Sequence, residues 1–283
     1  MIKKGVGIIE LEAYNRRQQI NMRRIQQLRL LDDDFMTKCF EDSPACTELL
    51  LRVILNKQDL KVEEVHTQHT VKNLQGRSVK LDIFAVDSAQ KRYNIEVQRD
   101  SQGAGPRRAR YHSSLMDANI LLAGDDTENL PESYVIFITE HDVFGRGQAV
   151  YHARRTMEGT EDLFADGSHI LYVNGAYRGE SPVGKLMHDF SCTNPGDMNY
   201  ALLAERVRYF KGDKEGVRTM CRIWEEVRDE GWVEGLKEGA MGNLLANIKA
   251  LMETMGFTVE QAMDALQVPE EDRAGVISSI SAS

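Results

Sequence analysis

The sequence predicts an α/β fold: a mixed sheet flanked by helices, core order αβββαβ, with a helical C-terminal tail. Three observations predict it. Val79, Leu81, Ile83 and Ala85 put apolar side chains on one face of a strand, and Tyr93, Ile95 and Val97 do the same beyond a turn at residues 87–91, as the arms of an antiparallel hairpin do. Ser133–Thr139 (SYVIFIT) and His169–Asn174 (HILYVN) are short continuous apolar runs, the mark of strands covered on both faces. Apolar residues recur at helical spacing before, between and after these runs.

The chain has 283 residues, room for one sizeable domain and an accessory segment. The expected organisation is a basic N-terminal arm or helix over 1–30, a main domain over 31–210 and a helical C-terminal region over 211–283. Acidic residues outnumber basic ones, 44 to 35, and the net charge of −9 argues against a general nucleic-acid coat protein. It leaves room for an enzyme that meets a polyanion through a local basic patch. No apolar run approaches the roughly 18 residues of a membrane span, and the first residues do not read as a secretory leader. Cys39, Cys46, Cys192 and Cys221 are scattered without C-x-x-C spacing, so the expectation is reduced thiols in the cytoplasm, with no zinc site or disulfide framework.

Residues 1–30 set Lys3, Lys4, Arg16, Arg17, Arg23, Arg24 and Arg29 against Glu10 and Glu12. They read either as a solvated arm or leading helix, with Ile20, Ile25 and Leu28 as a thin apolar stripe, or as an arm that contacts phosphates. Asp32, Asp33 and Asp34 precede a helix, FMTKCFED, whose positive end they can cap. Ser43-Pro44 opens a second helix, PACTELLLRVILN, with Leu49, Leu50, Val53 and Ile54 at helical spacing. Glu48, in its first turns, either favours the helix dipole or faces the hairpin. Lys61–Val71 alternates loosely and gives the first strand. His66 and His69 on it lack metal-ligand spacing and a cysteine partner, and read as structural or surface residues.

After a turn at 73–76 comes the hairpin, and after the hairpin the glycine-rich QRDSQGAGP, which lacks G-x-G-x-x-G and a P-loop lysine. The next helix, RRARYHSSLMDANILLAG, is expected to end at Gly124. Arg107, Tyr111 and Ser114 share one of its faces, with Arg108 beside them. The residues between the two buried strands read as loop and connector. Lys185–Phe190 and Tyr200–Phe210 are helical in pattern. Gly216–Ala240 carries Glu-Gly steps at four-residue spacing, either a smooth helix face or a loose linker. NLLANIKALMETMGF is an amphipathic helix ending at Gly256. Thr258 and Gln261 form a capping box for a further helix, VEQAMDALQV, stopped by Pro269. With no basic cluster on its second helix, this pair reads as a packing or dimerisation element rather than a DNA reader.

A hairpin closed at 87–91 pairs Val86 with Arg92 and, in the same register, Asp82 with Glu96. Directly opposed Cβ atoms lie roughly 4.5–5.5 Å apart, and like charges there are destabilising unless a cation sits between them. Solvent-facing charges on an edge hairpin are the plain reading; a shared cation is the functional one, and the depletion of Asp in strands tilts towards it. Acids on the second and third strands of an αβββαβ core suit metal-dependent phosphodiester cleavage. That reaction needs a hard cation to neutralise the non-bridging oxygens and to lower the pKa of a water. Magnesium keeps several of its waters, so one or two carboxylates suffice. Asp82 and Glu96 are the candidate ligands, the Val97 carbonyl the third, and Gln98, on the face of Glu96, the group that positions the water.

The LD of Leu81-Asp82, the YNIEVQ of Tyr93–Gln98 and the RARY of the following helix are a specific set. With the Phe35 helix, YVIFIT, LLAERVRYFKGDKEGV and the glutamate-glycine tail, they resemble the PD-(D/E)xK nuclease family transposases, also called the Rpn family of recombination-promoting nucleases. The resemblance implies a restriction-endonuclease-like fold and a magnesium-dependent DNA endonuclease, with manganese as a substitute, that promotes recombination or transposition. It places Asp82 at the motif aspartate, Glu96 at the D/E position and Gln98 where the general motif has lysine. A neutral amide hydrogen-bonds but brings no charge, so a catalytically weak or inactive DNA-binding or assembly module of a mobile element is the alternative. Glu48 takes the place of a first-helix glutamate that often completes such sites. Arg108, Arg110 and Tyr111 match the helix after the core, with Arg107 adjoining, and the implied role is phosphate contact with DNA. The C-terminal helices are expected to join a second copy of the chain, and no membrane is expected as partner.

Overall fold

The computed structural model of the chain describes residues 16, 19–73 and 76–281. Much of the basic arm, residues 1–15, 17 and 18, and the middle of the turn expected at 73–76 lie outside the described residues. The chain divides into two units after Met220.

The first unit opens with helix α1 (19–27), α2 (Asp33–Phe40) and α3 (Pro44–Leu55). Strands β1 (Val62–Val71), β2 (Val79–Asp87) and β3 (Arg92–Gln98) follow, then α4 (Pro106–Ala118), β4 (Ser133–Thr139), β5 (Val150–Ala153) and β6 (Ser168–Asn174). Helices α5 (Pro182–Ser191) and α6 (Ala201–Gly212) close the unit. The strands form one mixed sheet in the order β1-β2-β3-β4-β6-β5. β1, β2 and β3 form an antiparallel meander, β3, β4 and β6 run parallel, and β5 returns antiparallel to β6. α2 and α3 lie against the meander, and α4 against β4 and β6. This mixed six-stranded sheet with flanking helices is the restriction-endonuclease-like architecture.

The hairpin keeps the expected register, Val86 facing Arg92 and Ile83 facing Ile95. Asp87 enforces it. Its Oδ1 accepts from the amides of Ala89 and Lys91, each at 2.9 Å, and its Oδ2 from the Tyr93 hydroxyl at 2.7 Å. A turn clamped on both sides by one carboxylate cannot slip by a residue, and a slip would carry every core side chain to the other face. Both faces of β2 are covered: Ile83 and Ala85 on one, Phe84 and Val86 on the other are buried.

Several expected boundaries differ. α4 stops at Ala118 rather than Gly124, because the Asn119 side chain takes the Leu115 carbonyl at 2.8 Å and the Lys72 carbonyl at 3.1 Å. The residues read as connector between the buried strands contain β5, a half-exposed edge strand of four residues defined by its pairing with β6. His66 and His69 stack on Phe84, with ring centroids 6.4 and 5.0 Å away, in the structural role expected of them.

Helix α7 (Lys214–Met255) begins before the division, and its C-terminal part belongs to the second unit with α8 (Val259–Ala265) and α9 (Glu270–Ser281). Of the two readings of Gly216–Ala240, the chain takes the helix. Gly256, at φ 68°, supplies the left-handed residue that ends it. The capping box forms: Thr258 Oγ1 accepts from the Gln261 amide at 3.2 Å, and Gln261 Oε1 from the Thr258 amide at 3.0 Å. α8 ends at Ala265, earlier than expected, since Gln267 turns at φ 54° and drops Val268 among Ile248, Ala262, Met263 and Val276. Pro269 then leads into α9, which residues 270–281 do not announce by apolar periodicity. Among the described residues no helix is long and apolar enough to cross a membrane.

Candidate active site

β2 and β3 part beyond the Ile83–Ile95 pair. Parting strands leave amides without a ladder partner, and here carboxylates take the ladder's place. Asp82 Oδ2 accepts from the Val97 amide at 3.0 Å, and Glu96 Oε1 from the Asp82 amide at 3.4 Å. The two acids therefore face each other across a split rather than across a hydrogen-bonded rung, a correction to the simple hairpin. In extended backbone the carbonyl of a residue points the same way as its N–H, so the Val97 carbonyl opens into the same split.

Glu96 is fully buried and Asp82 nearly so. Burial, reinforced by the charge of Asp33, holds the Asp82 carboxyl well above the usual carboxylate range; the Val97 amide, Arg108 and Lys80 pull it part of the way back. Burial, reinforced by Asp82, raises the Glu96 carboxyl in the same way, against Arg108 and Asn94. Two buried carboxyls raised together either hold protons near neutral pH or sit around a cation. The donor chemistry fits a hard divalent cation, since the groups at the split that can ligate one, the two carboxylates and the Val97 carbonyl, offer oxygen. Among the described residues no group of three His, Cys, Asp or Glu side chains is placed to hold a metal ion.

Glu48 is not brought to the pair. Its Oε2 accepts from the Val62 amide at 3.0 Å and its Oε1 pairs with Arg52 at 2.7 Å. Val62 faces Asp87, which at strand rise is about 17 Å along β2 from Asp82. Glu48 thus serves the start of β1. The acid missed by the sequence reading is Asp33, in the first turn of α2, whose charge bears on Asp82. Its only signal was the Asp32–Asp34 triplet, read as caps. Asp32 makes no side-chain cap of α2; its carboxylate takes the Arg29 amide at 2.8 Å and the Arg99 guanidinium at 3.1 Å. Glu140 binds the same two arginines, at 2.8 and 3.2 Å, and this network ties the start of α2 to the ends of β3 and β4.

α4 contributes the cationic side. Arg108 Nη2 lies 3.3 Å from Glu96 Oε2, and Nη1 donates to Gln98 Oε1 at 3.4 Å and to the Gly103 carbonyl at 3.1 Å. Its Nε donates to His112 Nε2 at 3.3 Å. Burial, with Arg108 and Arg77 adding, pushes the His112 pKa down to about 4, so the ring is neutral and able to accept. A side chain at Gly103 would displace the Gln98 amide oxygen from its place beside Arg108, so glycine there leaves room for that contact. Arg107 and Arg110 are exposed on α4. Tyr111 is committed elsewhere: its hydroxyl donates to the Arg77 carbonyl and accepts from Asn73 Nδ2 at 3.1 Å, tying α4 to the loop before β2. Between that loop and α4 lies a cleft of about 490 Å³ lined by Arg77, Lys80, Arg108 and His112 among others. Arg77 and Lys80 are exposed basic residues that the sequence reading did not single out.

Residues 40–175 match the family model described as PD-(D/E)XK nuclease family transposase. Over those residues the chain is similar to that family. The match takes in all six strands, the acid pair and α4, and leaves Asp33 outside. Similarity to the PD-(D/E)XK nuclease family transposases supports a function of the nuclease or transposase type. Neither the curated proteins nor the solved structures compared with the chain give a match.

Proposed function

We propose that this chain is a magnesium-dependent DNA endonuclease, also active with manganese, that hydrolyses phosphodiester bonds and so promotes recombination or transposition. One observation carries the reading: Asp82 and Glu96 are buried face to face where β2 and β3 part, with both carboxyls raised. Asp82, Glu96 and the Val97 carbonyl are the groups that would hold the ion, and magnesium's retention of waters makes so small a set sufficient. When bound, it supplies positive charge to the non-bridging oxygens of the phosphate and lowers the pKa of a water. Gln98, on the strand face of Glu96, orients the attacking water through its amide. Arg107 and Arg110 on α4, with Arg77 and Lys80 across the cleft, take the neighbouring phosphates of the DNA.

Plasmid nicking tests this. Wild type with magnesium is expected to nick supercoiled plasmid at least about 100-fold faster than Asp82→Ala or Glu96→Ala. Equal rates would remove the endonuclease reading. A wild-type protein that binds duplex without magnesium and never cuts it would instead be the inactive assembly module, a reading that the neutral Gln98 favours.

A further inference from the structure

As water attacks a phosphodiester, negative charge builds on the non-bridging oxygens, and the neutral amide of Gln98 offsets little of it. α4 delivers a permanent cation to the same point. The Arg108 guanidinium touches Gln98, Glu96, the Gly103 carbonyl and His112, all within 3.1–3.4 Å. These contacts fix it from three directions. His112 accepts at Nε2 and holds the Nε edge. The Gly103 carbonyl holds Nη1, and the absence of a side chain at Gly103 lets Gln98 approach the same nitrogen. Glu96, with no exposure of its own, holds Nη2, while the Arg108 side chain stays 42% exposed towards the cleft of Arg77 and Lys80. An arginine that served only to grip DNA from the surface would have no need of a buried carboxylate, a neutral histidine and a backbone carbonyl to hold it.

Resting on the endonuclease reading, we propose that Arg108 is a catalytic residue: its guanidinium, brought by α4 and set against Gln98 and Glu96, supplies to the scissile phosphate the positive charge that a lysine at position 98 would otherwise supply. A guanidinium suits the task because it stays charged at every working pH, and one Nη2 N–H remains for a phosphate oxygen once His112, Gln98, Gly103 and Glu96 have taken the other four. His112 is the positioning residue behind it. The pairing with Glu96 has a second consequence. A fixed cation beside a metal-binding carboxylate repels a divalent ion, so Arg108 weakens metal affinity while speeding the reaction.

The full-length chain tests this with supercoiled plasmid under single-turnover conditions. Arg108→Gln is expected to slow cleavage about 100-fold, while affinity for a duplex in calcium changes by less than about threefold. Arg108→Lys is expected to stay within about tenfold of wild type. Adding Gln98→Lys to Arg108→Gln restores the charge from β3 and is expected to recover at least about tenfold of the lost rate. Manganese binding, followed by the electron paramagnetic resonance of the free ion at about pH 8.5, tightens severalfold in Arg108→Gln. A large loss of duplex affinity with an unchanged saturated rate overturns the proposal in favour of a DNA grip. So does failure of Gln98→Lys to restore any rate in a double variant whose melting temperature matches wild type, and so does unchanged manganese affinity. If wild type cuts and Arg108→Gln cuts as fast, this assignment alone falls. If wild type cuts with neither magnesium nor manganese, the endonuclease reading falls and takes the assignment with it.

Discussion

Asp82 and Glu96 were visible as a pair because two local rules place them: side chains alternate along a strand, and the 87–91 turn sets the register. The same pair makes the metal-free protein sensitive to pH. Both carboxyls are raised on folding, so the folded chain keeps protons that the unfolded chain, titrating near about pH 4, has already lost. Across that window the native state binds more protons, and stability falls as pH rises. In the presence of EDTA the melting temperature is expected to be higher at about pH 5.5 than at about pH 8.5, and Glu96→Gln should flatten the fall. An equally steep fall in the variant would locate the effect elsewhere. Arg108, His112 and Gly103 were harder to read. Each has a bland local reading, and each acquires its role only because α4 folds back over the end of β3.

The elements show where local signals stop. The capping box at Thr258 and Gln261 formed as written, since both partners lie within four residues. α6 has no such signal: Tyr200 at its N-cap makes no side-chain cap. Its start is held instead by Asp189 on α5, fully buried, which accepts from the Asn199 amide at 2.7 Å and the Tyr200 amide at 2.8 Å. Asp189→Ala would leave those donors unpaired and is expected to destabilise the protein by about 2–4 kcal/mol, read as a lower denaturation midpoint at unchanged slope. A change below about 0.5 kcal/mol would mean that water replaces the carboxylate. β5 escaped notice for a related reason. Four half-exposed residues carry no usable periodicity, and their strand exists because β6 offers an edge.

At the scale of the whole molecule, the second unit packs Ile248, Ala262, Met263, Val268 and Val276 into a core of its own. It leaves Met255 62% and Ile277 43% exposed. We expect this unit to join two copies of the chain, which would bring two candidate sites to the two strands of a duplex. Light scattering should give twice the chain mass for the full-length protein and the single-chain mass for a chain ending at Met220. An unchanged ratio of measured to chain mass would count against it. The sequence by itself determined five of the sheet's six strands, all but β5, together with the hairpin's register and the paired acids, because alternation, apolar runs and turn length act over a few residues. Only the tertiary structure decided that Asp33 rather than Glu48 stands near Asp82, that Tyr111 holds a loop, and that Arg108 meets Gln98. Those outcomes depend on which faces meet after long connections close, and no short-range periodicity encodes that.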